Sequence, residues 1–317
     1  MLLILTMAGG SYGYGHLGRC LPIFHAAQGH FEHVKMVVDN GGTSPVVADI
    51  DLTEVTWMSD LNSLDITRDD IVIVDVLDIE VTSLETIQSR CKKLYIVDDV
   101  NKEKYQSYNR VDWSIKSHLL SEQSLALSSP RYVPLKRAFQ SPSSRTISEK
   151  ISKVLITMGG SDIRNLSPVL ISFFRANYPE YQLIVFVGPG FQNQQEIELV
   201  SDNQVTLLNS PSDIDMLQAM KQADLAIATG GHTMYELAAV GLPTVQLQII
   251  DNQEVSKYWA QFGFSRFAGW YDNVNFLTNL SKCIDELEPK LVREKASRLG
   301  QSLIDGNGAD KLIAEIK

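Results

Sequence analysis

The sequence from Leu2 to Arg19 reads LLILTMAGGSYGYGHLGR and predicts the first strand, turn and helix of an α/β fold. Leu2 to Met7 is a strand-sized apolar run, and a glycine-rich loop follows it from Ala8 to His16. A short apolar run bounded by glycine is typical of a buried parallel strand. From Leu17 to Gln28 the pattern becomes helical. Glycines placed between a strand and a helix let the backbone approach a ligand closely and leave free amides at the helix start.

Short apolar runs alternate with helical segments along the chain, and this rhythm restarts near residue 153. The alternation predicts parallel strands covered by helices on both faces, and therefore two Rossmann-like domains. The predicted strands are Leu2–Met7, Val34–Val38, Ile71–Val76 and Leu94–Val97 in the first half, and Lys153–Thr157, Gln182–Val187, Gln204–Leu207, Leu225–Ala228 and Thr244–Leu247 in the second.

A polar stretch without apolar periodicity, QSPSSRTISE at residues 140–149, predicts the linker between the two domains. We therefore expect an N-terminal domain over residues 1–140 and a C-terminal domain over residues 150–317. The region from Asn273 to Lys317 is helical in pattern, and its last helix is a candidate to pack back on the first domain.

The bulk composition narrows the class of protein. A net charge of −10 argues against binding of nucleic acid across the whole surface and against broad contact with an anionic membrane. We expect no membrane contact, or a peripheral one only, since the longest apolar run is strand-sized. The three cysteines, Cys20, Cys91 and Cys283, form no CxxC pair, which is typical of a reducing cytoplasm.

His16 is the candidate catalytic residue of the first loop. The positive end of the following helix disfavours its protonation, so that its imidazole can act as a base. Gly13, Gly15 and Gly18 also fit the GxGxxG pattern of dinucleotide-binding folds, with Asp39 at about the expected distance. The structural alternative is an ordinary turn with a surface histidine.

Two further glycine loops follow strands in the second half, and a polar segment follows a third strand. The first loop is Gly159-Gly160-Ser161-Asp162, where Ser161 or Asp162 can simply cap the next helix. The second is Gly230-Gly231-His232-Thr233 with Glu236, where Thr233 and Glu236 can form a capping box. If these residues bind a ligand and do not simply cap the helix, the backbone amides at the helix start suit a diphosphate. The carboxylate of Glu236 then suits two ribose hydroxyls. The polar segment is Asp251-Asn252-Gln253. The spacing of the histidines matches no zinc site.

The ordered series of motifs resembles the family of UDP-sugar hydrolases of pseudaminic acid biosynthesis and their spore-coat-polysaccharide relatives. That family has the GT-B architecture, in which two Rossmann-like domains enclose a cleft, and is related to the lipid-linked GlcNAc transferase of peptidoglycan synthesis. The motifs that carry the resemblance are Gly13-Tyr14-Gly15-His16-Leu17-Gly18-Arg19-Cys20-Leu21, Val97-Asp98-Asp99, Tyr132–Phe139, Gly159-Gly160-Ser161-Asp162 with Asn165, Gly230-Gly231-His232-Thr233 with Glu236, Asp251-Asn252-Gln253 and Asp305-Gly306-Asn307-Gly308.

The resemblance implies a role for each motif. His16 would activate a water that attacks the anomeric carbon of a UDP-linked amino or deoxy sugar, with release of UDP and without a metal or other cofactor. The implied nucleotide-binding residues are Gly159, Gly160, Ser161, Gly230, Gly231, His232, Thr233 and Glu236. The implied sugar-binding residues are Gly13, Tyr14, Gly15, Arg19, Asp99, Asn252 and Gln253. The place of such an enzyme would be surface-glycan or pseudaminic-type acid biosynthesis.

Two departures from the family pattern keep alternatives open. The first loop has paired glycines, Gly9 and Gly10, in place of an arginine and an aspartate, which is closer to the GlcNAc transferase. Asp75 is followed by Val76 and Leu77, whereas the hydrolases usually have Asp-x-Tyr. A glycosyltransferase that passes the sugar to a glycan or lipid acceptor therefore stands as the alternative. Two other hypotheses remain. A nucleotide-sugar sensor leaves His16 unexplained, and a dinucleotide oxidoreductase leaves the motifs of the second half unexplained.

Overall fold

A computed structural model describes residues 1–9, 12–42, 50, 52–100, 102–119, 126–250 and 256–317. The chain forms two compact units. Unit 1 comprises Met1–Arg137 and Asn307–Lys317, and unit 2 comprises Ala138–Gly306. The C-terminal segment thus belongs to the same unit as the N-terminal strand.

Unit 1 is built on a seven-stranded sheet in the order β3-β2-β1-β4-β5-β6-β7. All of its strand pairs are parallel. The strands are β1 (Leu2–Met7), β2 (Val34–Asp39), β3 (Thr53–Glu54), β4 (Ile71–Asp75), β5 (Lys93–Val97), β6 (Asn109–Asp112) and β7 (Ala126–Ser128). The helices of this unit are α1 (Gly15–Gln28), α2 (Val81–Arg90) and, at the C-terminus, α10 (Gly308–Ile316).

The core of unit 1 explains why its central strands are apolar throughout. Every residue of β1 and of β4 is buried. On one face of the sheet, side chains such as Leu3, Leu5 and Val72 pack with Leu84 and Ile87 of α2. Strands covered on both faces carry no alternation of polar and apolar residues, which is why the sequence shows them as continuous apolar runs.

Unit 2 is built on a six-stranded parallel sheet in the order β10-β9-β8-β11-β12-β13. Its strands are β8 (Lys153–Thr157), β9 (Gln182–Val187), β10 (Val205–Asn209), β11 (Leu225–Thr229), β12 (Thr244–Gln248) and β13 (Ser265–Trp270). Its helices are α3 (Leu166–Asn177), α4 (Gln194–Val200), α5 (Asp213–Gln222), α6 (Thr233–Val240), α7 (Ser256–Gln261), α8 (Phe276–Leu287) and α9 (Lys290–Leu303).

Helix α6 lies deep in unit 2, since all of its residues after Thr233 are buried. It ends at Gly241, whose positive φ of 71° is accessible mainly to glycine. Helix α9 packs closely against it: a side chain at Gly300 would come within 3.0 Å of the carbonyl oxygen of Ala238. A helix that is apolar on all sides must be covered in this way.

The polar stretch predicted as a linker is attached to unit 2. Arg293 of α9 is fully buried and donates to the carbonyl oxygens of Ser148 and Glu149 at 3.0 and 3.1 Å. Arg145 donates to the carbonyl oxygens of Met220 and Ala223 near the end of α5. Residues 140–149 therefore run along unit 2, where buried guanidinium groups satisfy their backbone and that of α5.

The structure confirms two Rossmann-like units with parallel sheets, and it contains every predicted strand within one or two residues at each end. Helix α1 lies where the pattern of Leu17–Gln28 predicted it. In such sheets ligands bind at the carboxyl ends of the strands. In unit 1 the loops after the neighbouring strands β1, β4 and β5 meet at that edge, and in unit 2 those after β8, β11 and β12 do so.

Candidate functional site

The first loop forms a closed turn that delivers His16 to the start of helix α1. Gly9 and Gly13 have φ values of 88° and 68°, which only glycine adopts readily. The amide of Gly9 donates to the carbonyl oxygen of Gly13 at 3.0 Å, and the amide of Tyr12 donates to that of Gly9 at 2.9 Å. Gly13, Tyr14 and Gly15, which were predicted to bind the sugar, are exposed on this turn.

The side chain of His16 belongs to a compact ionic cluster at the carboxyl edge of the unit 1 sheet. Its Nδ1 lies 2.9 Å from Oδ1 of Asp75, the last residue of β4. Arg19 donates from Nε and Nη2 to the two oxygens of Asp75 at 2.7 and 2.6 Å, and from Nη1 to Asp99 at 2.9 Å. The helix brings His16 and Arg19 to one face because they are three residues apart. The structure thus brings together three predicted residues, His16, Arg19 and Asp99, around a fourth that was not predicted.

Asp75 is that fourth residue, and it is an ionised carboxylate. Its burial by itself would raise its pKa, but the charge of Arg19 and the hydrogen bonds from Arg19 and His16 outweigh this and hold the pKa well below its usual range. Burial by itself would lower the pKa of Arg19, yet the charges of Asp75 and Asp99 raise it above its usual value. The guanidinium also lies over the ring of Trp113, 5.4 Å from the centroid.

Further carboxylates lie near this cluster. Asp98 is buried beside Arg110, at 3.6 Å, and accepts the amide of Lys102; burial nevertheless raises its pKa. Burial and, to a smaller extent, the charges of Asp99 and Asp98 raise the pKa of Asp112 to about 6. Asp39 is the acidic residue that a dinucleotide-binding fold would use after its GxGxxG pattern. It accepts hydrogen bonds from the backbone amides of Gly41 and Met58. Its oxygens therefore hold the chain after β2, which is a structural role.

In unit 2 the two glycine loops line one cavity of about 340 Å³. Seven of the eight predicted nucleotide-binding residues line it, namely Gly159, Gly160, Ser161, Gly230, Gly231, His232 and Thr233. Apolar side chains complete its wall, among them Ile163, Ile249 and Ile250. Glu236, the eighth predicted residue, is only 3% exposed and lies in the first turns of α6.

Local geometry explains the shape of this cavity. Gly159 has a φ of 80°, which requires glycine. Asp162 accepts the amides of Leu166 and Ser167 at 2.9 and 2.8 Å, so that its role as a cap of α3 is confirmed. Helix α6 begins at Thr233 with His232 as its N-cap. Its first amides therefore lie beside the paired glycines, where a helix favours an anion.

Some contributors to these sites were not predicted. Gly188 follows β9, and a Cβ at this position would lie 2.4 Å from the carbonyl oxygen of Gly160. The loops after β8 and β9 can therefore approach each other only because residue 188 is glycine. Arg164 donates to the carbonyl oxygen of Ile249 at 3.2 Å and lies over the ring of Tyr271. The sequence Gly188-Pro189-Gly190 after a strand was the available signal. Asn252 and Gln253, which were predicted to bind the sugar, lie outside the described residues.

The described residues contain neither a membrane-spanning helix nor a cluster of metal-binding side chains. None of the helices there is long and apolar enough to cross a membrane. Likewise, the described side chains include no group of three or more His, Cys, Asp or Glu that could hold a metal ion.

Comparison with known proteins identifies the class to which this fold belongs. Residues 153–287 match the glycosyltransferase family 28 C-terminal domain. MurG of Acinetobacter baumannii is similar over 99% of both chains, with a TM-score of 0.62 and 14% identity. The UDP-GlcNAc 2-epimerase of Neisseria meningitidis bound to UDP-GlcNAc is similar over 100% of this chain and 99% of its own, with a TM-score of 0.63 and 13% identity. The protein therefore has the GT-B fold.

Two other proteins are similar to this chain in sequence. The spore coat polysaccharide biosynthesis protein SpsG of Bacillus subtilis is 23% identical over 77% of this chain and 75% of its own length. An uncharacterized protein of Methanocaldococcus jannaschii is 26% identical over 78% of this chain. The match spans only 55% of that archaeal protein, so this chain corresponds to about half of it.

Proposed function

We propose that the protein cleaves a UDP-linked sugar and releases UDP. The observation that carries this proposal is the cavity of unit 2, where two glycine loops meet the amino end of α6. Backbone amides and the positive helix end favour a diphosphate there. The likeness of the fold to an epimerase bound to UDP-GlcNAc supports a nucleotide sugar as the ligand. In this proposal Glu236 would bind the ribose, and Asn252 and Gln253 would bind the sugar, as the family resemblance implies.

The reaction we propose is hydrolysis with His16 as general base. His16 takes a proton from water, whose oxygen forms a bond to the anomeric carbon. The bond from that carbon to the phosphate oxygen breaks, and UDP leaves with the electron pair. A general base of this kind contributes about 10²–10⁴-fold to the rate. Amides at His232 and Thr233 would stabilise the charge on the departing diphosphate. No metal or other cofactor takes part in this scheme.

Glycosyl transfer is the second candidate, and the match of residues 153–287 to a glycosyltransferase domain favours it. In that reaction the hydroxyl of a glycan or lipid acceptor replaces water, and His16 takes the proton of the hydroxyl instead. The name of the Bacillus relative supports a sugar destined for a surface polysaccharide under either reaction.

The decisive experiment follows free UDP during incubation with a panel of UDP-sugars. Hydrolysis predicts release of UDP without any acceptor, at a rate well above that of the heat-inactivated protein. Release that begins only when an acceptor glycan or lipid is added supports transfer and contradicts hydrolysis. Binding of UDP without turnover under both conditions contradicts both enzymes and supports a sensor. Binding of NAD without binding of UDP contradicts the whole proposal.

A further inference from the structure

We propose that Asp75 and Arg19 are positioning residues that fix the tautomer of His16, with the proton on Nδ1 and the lone pair on Nε2. This inference rests on the proposed role of His16 as a general base. It gives Arg19 a role different from the sugar contact that the family resemblance implies.

The first step is the pair of neighbours that compete for Nδ1 of His16. Oδ1 of Asp75 lies 2.9 Å from this nitrogen and can only accept, whereas Nη2 of Arg19 lies 3.2 Å from it and can only donate. A neutral imidazole carries one proton, so Nδ1 either donates to Asp75 or accepts from Arg19. These two arrangements correspond to the two tautomers of the ring.

The carboxylate decides this competition. Asp75 is fully buried and ionised, and an unprotonated Nδ1 would place its lone pair 2.9 Å from a negatively charged oxygen. A protonated Nδ1 makes a charge-assisted hydrogen bond at the same distance. Nη2 of Arg19 gives up its contact with Nδ1 in this arrangement but keeps an acceptor, because it also donates to Oδ1 of Asp75 at 2.6 Å. Nε2 of His16 is then the nitrogen left to accept a proton.

Arg19 immobilises the carboxylate. Two of its nitrogens bind the two oxygens of Asp75, a bidentate geometry that holds the plane of the carboxylate. Its third nitrogen binds Asp99, and its Cζ lies over the ring of Trp113, 5.4 Å from the centroid. The Sγ of Cys20 lies 3.4 Å from Oδ2 of Asp75 and closes the remaining side. Each of the three nitrogens of Arg19 is thus engaged with a carboxylate of unit 1, which suits positioning better than contact with a substrate.

The test measures the tautomer directly and does not depend on turnover. The protein is labelled with ¹⁵N at its six histidines, and the signals of His16 are assigned from the spectrum of His16→Gln. At a pH where the ring is neutral, the wild type is expected to carry its proton on Nδ1. A wild-type His16 protonated on Nε2 overturns the inference.

Variants then separate the roles of the neighbours. Asp75→Asn is expected to move a large part of the His16 population to the Nε2-protonated tautomer and to lower kcat at least about 10²-fold, with unchanged affinity for UDP. Asp98→Asn is the matched control, since Asp98 is also buried beside an arginine at the end of the neighbouring strand. An equal tautomer shift in Asp98→Asn contradicts a specific role for Asp75. Should Asp75→Asn fail to fold, the wild-type spectrum still decides.

Arg19→Lys distinguishes positioning from sugar binding. Lysine keeps the charge but loses the bidentate geometry. Positioning predicts a lower kcat with little change in KM for the UDP-sugar. A raised KM with unchanged kcat contradicts positioning and supports a contact between Arg19 and the sugar. If the protein turns over no UDP-sugar, the proposed function is wrong. The tautomer of His16 can still be measured, because that measurement does not depend on turnover.

Discussion

Alanine at Gly231 tests whether the cavity of unit 2 binds the diphosphate. Gly231 lines the cavity just before α6, and its backbone is not in the left-handed region. A Cβ built at this position meets no described atom within 4 Å. The methyl group should therefore leave the fold intact and occupy space in the cavity that a closely bound phosphate needs.

The magnitude follows from the hydrogen bonds that the phosphate would lose. A hydrogen bond to a charged group contributes about 1.5–3 kcal/mol. Displacing the phosphate from one amide should raise the Kd of UDP by about 10–100-fold. A substitution that strains nothing should change the free energy of unfolding by no more than about 0.5 kcal/mol, which corresponds to about 2 °C or less in Tm for a unit of this size.

Titration calorimetry with UDP and a thermal melt without ligand measure the two effects separately. Gly29→Ala is the matched control: it follows α1 in unit 1, and its added methyl group also meets no described atom within 4 Å. It should change neither quantity by more than the wild-type error. An unchanged Kd in Gly231→Ala, with an unchanged Tm, would refute the assignment of the diphosphate to this cavity. A fall in Tm of many degrees would show that the methyl group does not fit at position 231.

Three other changes test the remaining features. His16→Ala should lower kcat by about 10²–10⁴-fold while UDP affinity survives; a residual rate within tenfold of the wild type would remove His16 as the base. Gly188→Ala forces an atom to within 2.4 Å of the backbone of Gly160, and should cost about 1–3 kcal/mol of stability, measured by urea unfolding; an unchanged midpoint would contradict the close approach of the two loops. The pKa of Asp112 is raised to about 6 in the folded protein, so the folded state binds the extra proton between about pH 4 and 6, and its stability falls as the pH rises through that window. Asp112→Asn should therefore raise Tm at pH 7.5 and have little effect at pH 4.5, and equal effects at both values would contradict this titration.

The sequence predicted most of the sheets, and the strands that it missed share a physical cause. β3, β6 and β7 are short and partly polar, with the sequences TE, NRVD and ALS, so they carry no apolar run. β13 contains Gly269 at a φ of 98°, and its register with β12 shifts near that point. Such strands form because a neighbouring strand offers them hydrogen bonds, and a local pattern cannot show that.

The sites were predictable only in part for a related reason. Glycine pairs before a helix could be recognised locally, so the residues around Gly160 and Gly231 were found. Asp75 was noticed only as a departure from a family pattern, because its contact with His16 arises from the pairing of β1 with β4. The burial of α6 likewise depends on how α9 packs against it, where Gly300 meets the carbonyl oxygen of Ala238. Contacts between residues far apart in sequence follow from the order of the strands.

The burial of α6 has a consequence for how a nucleotide would bind. A helix whose residues after the first are all enclosed exchanges its amide hydrogens only when much of unit 2 opens. The loop that precedes it is thereby attached to a fully enclosed helix of unit 2. A ligand finds its amides already in place and has little backbone to order, which lowers the entropic cost of binding. Hydrogen exchange in α6 should accordingly be slow before any nucleotide is added, and the ligand should slow it further only by stabilising unit 2 as a whole.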